Sequence, residues 1–215
     1  MKKTSRSPER TYRGISQPAR SSARRDAFIE AGIRVFGSGG YRAGTVKALC
    51  AEAGLTDRYF YQSFRNTEDL LIAVYRKLMS DLRWKMMQGL AAAEPTWDDI
   101  ADTGLEIYFE AVRDRHFARI TLVEVLSVSE SVRNAYHETL EEFAALLLNT
   151  FSFLEPKHTI PQRDQELLGI ALAGAVMVSG MHWMKSGYAV PLHKMVDNCR
   201  RILVGTARAT LDGSR

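Results

Sequence analysis

Residues 45–64 read TVKALCAEAGLTDRYFYQSF, and this run predicts two short helices on either side of a single glycine. Thr45 is a good N-cap for the first helix, because its side-chain oxygen can accept a hydrogen bond from a free backbone N–H. Apolar residues then recur at i, i+3, i+4 and i+7, which is one face of a helix, at Val46, Leu49, Cys50 and Ala53. Gly54 ends this helix.

The second helix of the pair is expected from Asp57 to Phe64, with Thr56 as its cap and with Phe60 and Phe64 turned inward. Two helices joined by a tight turn that contains glycine form the helix-turn-helix layout, whose second helix enters the major groove of DNA. Its outward face keeps side chains that suit base edges and phosphates: Asp57, Arg58, Tyr59, Gln62 and Ser63. A helical hairpin inside an ordinary bundle is the alternative interpretation.

Helical periodicity continues on both sides of this pair. The preceding face consists of Phe28, Ala31, Gly32, Val35 and Phe36, and the glycines at 37, 39 and 40 end that helix. After a break at Asn66 and Thr67, a fourth helix is expected to run to about Ala93, with an apolar face at Leu71, Val74, Leu78 and Leu82. Residues 37–40 follow a helix and no strand, so they do not form a phosphate-binding loop.

The rest of the chain also predicts helices. Two long ones are expected at about 163–185 and 191–211, and Pro191 suits a first helical turn. No stretch alternates with period two over a useful length. The predicted fold class is all-α, with a three-helix helix-turn-helix domain followed by a helical bundle. The predicted divisions are residues 1–21, a flexible basic arm; 22–82, the DNA-binding domain; and 83–215, the sensing and dimerisation domain.

Charge and cysteine content narrow the class of protein. The 215-residue chain carries a net charge of +4, and eight Lys and Arg residues precede Asp26 against one acidic residue, Glu9. Such an arm either follows phosphate backbone or is a solvated tail. Cys50 and Cys199 lie far apart in apolar helical patterns and predict no disulfide framework. A reducing, cytoplasmic location fits, since the basic N-terminus is not followed by the apolar segment of a secretory signal.

One apolar stretch, Leu167–Met184, has no Asp, Glu, Lys or Arg and is near the minimum length of a membrane span. Its glycines and His182 favour a buried or subunit-interface helix, so no membrane partner is expected. The expected companion stripe on the last helix is Met195, Val196, Cys199, Ile202 and Leu203. The expected centre of a two-fold contact is Ala175, Val178 and Ser179, because small residues let helices approach closely.

Four short runs together resemble the DNA-binding domain of tetracycline-repressor (TetR) family regulators. They are Gly40-Tyr41-Arg42-Ala43-Gly44-Thr45-Val46, Ala53-Gly54-Leu55-Thr56, Tyr59-Phe60-Tyr61-Gln62-Ser63-Phe64 and Glu68-Asp69-Leu70-Leu71. The resemblance covers roughly residues 22–82 and is specific, because small, apolar and turn positions align together. It implies a homodimeric, ligand-responsive repressor that binds a pseudo-palindromic operator, so the expected partners are double-stranded DNA, a small-molecule effector and a second copy of the chain.

The resemblance also implies DNA-contacting roles for individual residues. It places Thr45, Thr56, Asp57, Arg58, Tyr59, Tyr61, Ser63 and Thr67 at base edges or phosphates, and Lys47 and Gln62 complete the expected DNA-contacting set. Three positions depart from the family pattern, which often has a small residue at Arg58, His at Ser63 and Lys at Thr67. The Thr67 phosphate contact is therefore in doubt. Asp57 either accepts from a cytosine amine or acts as a cap.

The C-terminal region is expected to hold the effector. Candidate lining residues are Tyr108, Phe109, Phe117, Glu124, Phe143, Met177, Met181 and Trp183, although residues of these types at helical spacing also form plain core. Glu124 interrupts an apolar run: if it is buried it needs a partner or a cationic ligand, and otherwise it points to solvent. No catalytic motif, metal spacing or cofactor signature occurs, so neither an enzyme nor a cofactor is expected. A helical small-molecule-binding protein or enzyme without DNA binding is the alternative function.

Overall fold

A computed structural model describes residues 17–212, and every regular element in that range is helical. The first three helices are α1 (Gln17–Gly39), α2 (Val46–Ala53) and α3 (Asp57–Ser63), with a short 3-10 turn at Tyr41–Ala43 between α1 and α2. They form the N-terminal helix-turn-helix domain. The all-α prediction is confirmed.

A long helix, α4 (Thr67–Ala92), leads from this domain into a helical bundle. The bundle consists of α5 (Trp97–Arg113), α6 (Arg115–Arg119), α7 (Val125–Ser127), α8 (Glu130–Leu154), α9 (Gln162–Lys185) and α10 (Leu192–Asp212). One turn of π-helix, Ile120–Glu124, joins α6 to α7. Helix α8 packs on α9, α10 packs on α5, and α6 packs on α1 of the N-terminal domain.

The turn between α2 and α3 has the conformation that its sequence predicts. Gly54 lies in the left-handed region at φ 65°, where glycine has no steric penalty, and its N–H donates to carbonyls at the end of α2. Thr45 Oγ1 accepts from Ala48 N at 3.2 Å, so the expected N-cap is present. Thr56 precedes α3 but its side chain makes no capping bond. The Asp57 carboxylate takes that role and accepts from Arg58 N at 2.8 Å.

Aromatic side chains form the centre of the N-terminal core. The Phe28 and Phe60 rings meet edge to face with centroids 5.4 Å apart, and Phe64 packs against both. This core continues along α4 into the bundle without a break. The buried residues of α4 are Leu70, Leu71, Val74, Tyr75, Met79, Leu82 and Met86.

Two expectations about helix limits need correction. Helix α1 begins at Gln17, so residues 17–21 are helical and do not belong to a flexible arm. Ala19 and Arg20, in the first turn of α1, are both favourable helix formers. The remainder of the expected arm, residues 1–16, lies outside the described residues. Helix α10 begins at Leu192, so Pro191 precedes the helix instead of occupying its first turn.

Helices α9 and α10 have the expected lengths but bury different faces from those expected. Helix α9 is long and apolar enough to cross a membrane by composition, and 28% of its most apolar window is buried. Val178 is 57% exposed and Leu167 is 72% exposed, so α9 keeps an apolar outer face. On α10, Val196 and Cys199 are buried. The expectation that Val196 and Cys199 belong to the companion stripe of α9 is therefore wrong, because α10 turns these two residues toward α5.

Candidate nucleic-acid interface and internal cavity

The outer surface of α2 and α3 presents most of the residues expected to contact DNA. Exposed side chains are Thr45, Lys47, Thr56, Asp57, Arg58, Tyr61 and Gln62, whereas Tyr59, Ser63 and Thr67 are half-buried. The side chains of Arg58 and Gln62 make no hydrogen bond within residues 17–212. They are free to bind the donor and acceptor groups that bases display in the major groove.

Two of the half-buried residues are held by the N-terminal domain itself. The guanidinium carbon of Arg24 on α1 lies 4.5 Å from the centre of the Tyr59 ring, a cation–π contact. The hydroxyls of Tyr41 and Thr67 lie 3.2 Å apart. Tyr59 therefore faces α1 as much as solvent, and the expectation that it points freely outward needs correction. Thr67 ties the start of α4 to the turn that precedes α2.

Glu124 connects the bundle to the N-terminal domain. Its Oε2 accepts from Tyr41 N at 2.9 Å, and its Oε1 lies 3.3 Å from Arg119 Nε. Arg119 in turn donates from Nη1 to the Ser38 carbonyl at 2.6 Å. The Glu124 side chain is only 13% exposed. The expectation of a partner within the protein is confirmed for Glu124, because the π-helical turn directs it at Arg119 and at the backbone between α1 and α2. The solvent-facing alternative is wrong.

An apolar cavity of about 140 Å³ lies inside the bundle. Five helices line it: α4, α5, α8, α9 and α10. The wall contains no charged side chain among the described residues. At one end lie Tyr108, Phe143 and Met177, and at the other end lie Trp97 and Ile160, where a small polar pocket adjoins.

Three of the eight candidate ligand-binding residues line this cavity: Tyr108, Phe143 and Met177. The other five, Phe109, Phe117, Glu124, Met181 and Trp183, do not. Phe109 and Trp183 pack edge to face with centroids 5.6 Å apart, so they fill a neighbouring part of the core. The Trp183 indole also donates to the Val190 carbonyl at 2.6 Å. Whether the three lining residues contact an effector stays a prediction.

Sequence reasoning missed most of the cavity wall, because most of its side chains are aliphatic. It includes Met79, Met86, Leu90, Ile100, Leu105, Leu147, Leu172, Val176 and Leu203. Residues of this kind at helical spacing occur in every core, so their sequence carries no signal of a void. Only the relative placement of five helices produces one.

Comparisons with known proteins agree with this geometry. The pattern of bacterial regulatory proteins of the tetR family matches residues 28–74, which span α1 to the middle of α4. The fatty acid metabolism regulator protein of Bacillus subtilis (strain 168) is 23% identical over 120 residues, 56% of this chain. The match spans 62% of that regulator, somewhat less than two thirds of its length. The HTH-type transcriptional regulator BetI of Rhizobium meliloti (strain 1021) is 27% identical over 79% of this chain and 81% of its own.

A solved structure has the same fold along nearly its whole length. The transcriptional regulator FadR from Bacillus subtilis, in complex with stearoyl-CoA, superposes with a TM-score of 0.69 at 18% identity. The superposition covers 83% of this chain and 97% of FadR. An N-terminal helix-turn-helix with exposed polar residues, joined to a bundle that encloses a cavity, defines a DNA-binding transcriptional regulator. The DNA-binding domain of this chain is that of the TetR family of bacterial regulators.

Replacing Arg58 with alanine is expected to weaken binding to the operator. One good base contact typically contributes about 1–3 kcal/mol of discrimination, so affinity for the operator should fall by about tenfold or more. Affinity for a scrambled duplex should change far less. Fluorescence anisotropy with both duplexes measures the two affinities. Arg133→Ala, at an exposed position of α8, is the control and should bind as the parent does. If Arg58→Ala binds the operator as tightly as the parent, Arg58 makes no base contact.

Replacing Glu124 with alanine leaves the Tyr41 N–H without its acceptor and removes the partner of Arg119. Loss of one partner of a buried hydrogen bond costs about 1–3 kcal/mol, so the melting temperature should fall by several degrees. Operator binding should weaken too, because the turn before α2 loses an anchor. Thermal denaturation and anisotropy measure the two effects.

The control for Glu124 is Glu138→Ala, which removes a surface ion pair with Arg76. Both partners of that pair are mostly exposed, so it should contribute less than about 1 kcal/mol. An equal, small effect of both substitutions would contradict a structural role for Glu124.

Proposed function

We propose that this regulator is a cytoplasmic repressor that binds a pseudo-palindromic operator as a homodimer and leaves it when an apolar, chain-bearing effector enters the bundle. The observation that carries the proposal is the cavity, which is lined by five helices and has no charged side chain in its described wall. Such a wall favours a hydrocarbon chain, since burying a charge there would have no compensating partner. The similar FadR of Bacillus subtilis holds stearoyl-CoA.

The residues that line the cavity span the length that a chain requires. It extends along α5 from Trp97 to Tyr108, a distance of about 16 Å at the helical rise of 1.5 Å per residue. The polar pocket beside Ile160 includes Asn149, His158 and Gln165. This end of the cavity is where a polar part of an effector would meet hydrogen-bonding groups.

Two routes connect the cavity to the DNA-binding domain. Met79 and Met86 of α4 line the cavity, while the first turn of the same helix bears Thr67 beside the recognition helix. Helix α9, which also lines the cavity, contacts the π-helical turn that carries Glu124. An effector that changes the spacing of α4 and α9 therefore acts on the position of α2 and α3. By linkage, DNA must weaken effector binding by the same factor.

The outer faces of α9 and α10 support a dimer. Val178 is exposed between Ala175 and Ser179, the expected centre of the contact, and Ile202 is an exposed apolar residue on α10. A stripe of this kind on two adjacent helices is self-complementary under two-fold symmetry. Two copies would then present two recognition helices to successive major grooves, which matches a two-fold operator.

The effector proposal is tested by measuring operator affinity with and without stearoyl-CoA, after the operator has been selected from random duplexes. We expect stearoyl-CoA to weaken operator binding by about 5–150-fold, the usual range of allosteric coupling. Ala101→Phe places a ring in the cavity and should keep operator binding while it abolishes the response. A parent protein that selects no common sequence, or that ignores stearoyl-CoA and other chain-bearing compounds, would contradict the proposal.

Replacing Val178 with glutamate is expected to shift the protein toward monomer and to weaken operator binding at the same time. An interface formed by this face would bury one unpaired carboxylate per subunit, at a cost of several kcal/mol. Light scattering measures the mass, and anisotropy measures the affinity. Phe153→Glu is the control, since Phe153 is an exposed apolar residue on α8 outside the proposed interface. A Val178→Glu protein that remains dimeric would place the interface elsewhere.

A further inference from the structure

Two arginines of α1 lie over aromatic rings at the recognition helix, α3. The guanidinium carbon of Arg24 is 4.5 Å from the centre of the Tyr59 ring, and that of Arg25 is 4.4 Å from the centre of the Phe64 ring. Both arginines belong to the basic run that precedes Asp26, and both lie in the helical part of that run. The N-terminal half of α1 therefore places a positive charge near each end of the recognition helix.

The two guanidinium groups differ in their acidic neighbours. The side chain of Arg24 makes no hydrogen bond and no ion pair within residues 17–212. Arg25 lies close to Asp69, whose carboxyl pKa is below its ordinary value, first because Arg65 donates a hydrogen bond to it and also because of the positive charge of Arg25. The charge of Arg25 is therefore partly balanced, whereas Arg24 has no carboxylate partner among the described residues.

A guanidinium that lies over an aromatic ring keeps its hydrogen-bond donors available. The ring attracts the positive charge through its face, while the five N–H donors lie in the plane of the guanidinium and point away from it. Tyr59 is half-buried, so its ring offers Arg24 a fixed platform on the surface of the domain. Arg24 is therefore oriented in advance for an acceptor outside the protein, and phosphate oxygens match the geometry of its donors.

The dimensions of the major groove place this charge beside the DNA backbone. An α-helix with its side chains is about 10–12 Å across and the groove is about 12 Å wide, so an inserted helix reaches both backbones. Tyr59 lies in the first turn of α3, and the N-terminal residues of a recognition helix approach the base edges. A cation that covers the side of the helix at this point, as Arg24 does, is close to phosphates instead of bases.

We propose that Arg24 contacts a DNA phosphate and that the Tyr59 ring holds its guanidinium in position for this contact. Helix α1 thus contributes to the DNA-binding surface together with α2 and α3. A phosphate contact carries no sequence information of its own, so Arg24 adds to the affinity for any duplex, unlike Arg58, which is expected to contact bases. The inference concerns DNA binding alone and does not depend on the effector or on the dimer.

The test measures the affinity of Arg24→Ala for the selected operator and for a scrambled duplex at several salt concentrations, by fluorescence anisotropy. Loss of one phosphate contact lowers the slope of log affinity against log salt by about 0.9 per bound subunit. The advantage of the parent over Arg24→Ala should therefore shrink by about 3.5-fold per bound subunit between about 50 mM and about 200 mM salt, alike for both duplexes. Arg24→Lys keeps the charge and should keep the slope of the parent.

Arg25→Ala is the matched control. It removes the same charge and the same type of ring contact from the neighbouring position of α1. Because Asp69 partly balances the charge of Arg25, and because Phe64 lies at the far end of the recognition helix, the salt slope of this variant should change by less than half as much. Thermal melting of both variants checks that each remains folded.

A double substitution tests the positioning role of the ring. Tyr59→Leu removes the ring and leaves an apolar side chain at the half-buried site. If the ring positions Arg24, the affinity lost through Arg24→Ala should be smaller in the Tyr59→Leu background, and the double variant should lose less than the product of the two single losses. Tyr59→Phe keeps the ring and should leave the effect of Arg24→Ala unchanged, so it also serves if Tyr59→Leu does not fold.

Three results would overturn the inference. An unchanged salt slope of a folded Arg24→Ala protein would show that Arg24 only packs on Tyr59 and contacts no phosphate. An equal change of slope in Arg24→Ala and Arg25→Ala would show that the charge of α1 acts at a distance, without a contact. Single losses that simply multiply in the double variant, or an effect of Arg24→Ala that differs in the Tyr59→Phe background, would show that the ring does not position Arg24.

Discussion

The buried face of α4 is continuous from the DNA-binding domain to the cavity, and the rest of the structure depends on it. Leu70 and Leu71 close the core beneath α1, while Met79 and Met86 of the same helix line the cavity. The two domains therefore share one hydrophobic core instead of meeting at a surface. Because packed interiors change between discrete arrangements more readily than they deform smoothly, a shift near Met79 is carried along α4 as a rigid element.

A single helix would leave the DNA-binding domain free to rotate about its axis, and the π-helical turn supplies a second attachment. Arg119 and Glu124 hold the backbone of Ser38 and Tyr41, at the end of α1 and before α2. Ion pairs between α4 and α8, such as Arg76 with Glu138, are largely exposed and contribute little to stability. The nearly buried Glu124 contact is stronger than these exposed ion pairs, since solvent competes with it less. π-Helical turns are common at functional sites, and this one holds Glu124 against the backbone of Tyr41.

The sequence predicted those parts of the structure whose conformation depends on neighbouring residues in the chain. The apolar spacing of Leu49, Phe60 and Phe64, with the cap at Thr45 and the glycine at 54, was enough to predict α2, the turn and α3 with their inward faces. The outward placement of Arg58 and Gln62 follows from the same periodicity. These features depend on residues within a few turns of one another, and periodicity reports such relations directly.

Features that depend on distant segments were not predictable in the same way. Glu124 contacts Tyr41 across 83 residues, and an isolated acid in an apolar run has the same pattern whether it faces solvent, a ligand or another backbone. Large aromatic residues were expected around the effector, but Phe109 and Trp183 fill space by packing on each other, and most of the side chains around the void are aliphatic. On α10, apolar residues occur on more than one side, and only the packing on α5 decides which are buried.

The volume of the cavity suits a protein that changes between two conformations when an effector binds. Residual cavities reduce stability by about 24 cal/mol per Å³, so an empty cavity of about 140 Å³ corresponds to roughly 3 kcal/mol of lost packing. That is the upper end of typical allosteric coupling, but a shift from 1:99 to 99:1 between two states requires about 5.5 kcal/mol. An effector shifts the equilibrium only by the difference between its affinities for the two states, so about 3 kcal/mol is the most that one filled cavity supplies, and about 6 kcal/mol the most that the two cavities of the proposed dimer supply. A repressor that responds fully to an apolar effector thus needs both subunits to move together, and the shared core along α4 makes each subunit move as a unit.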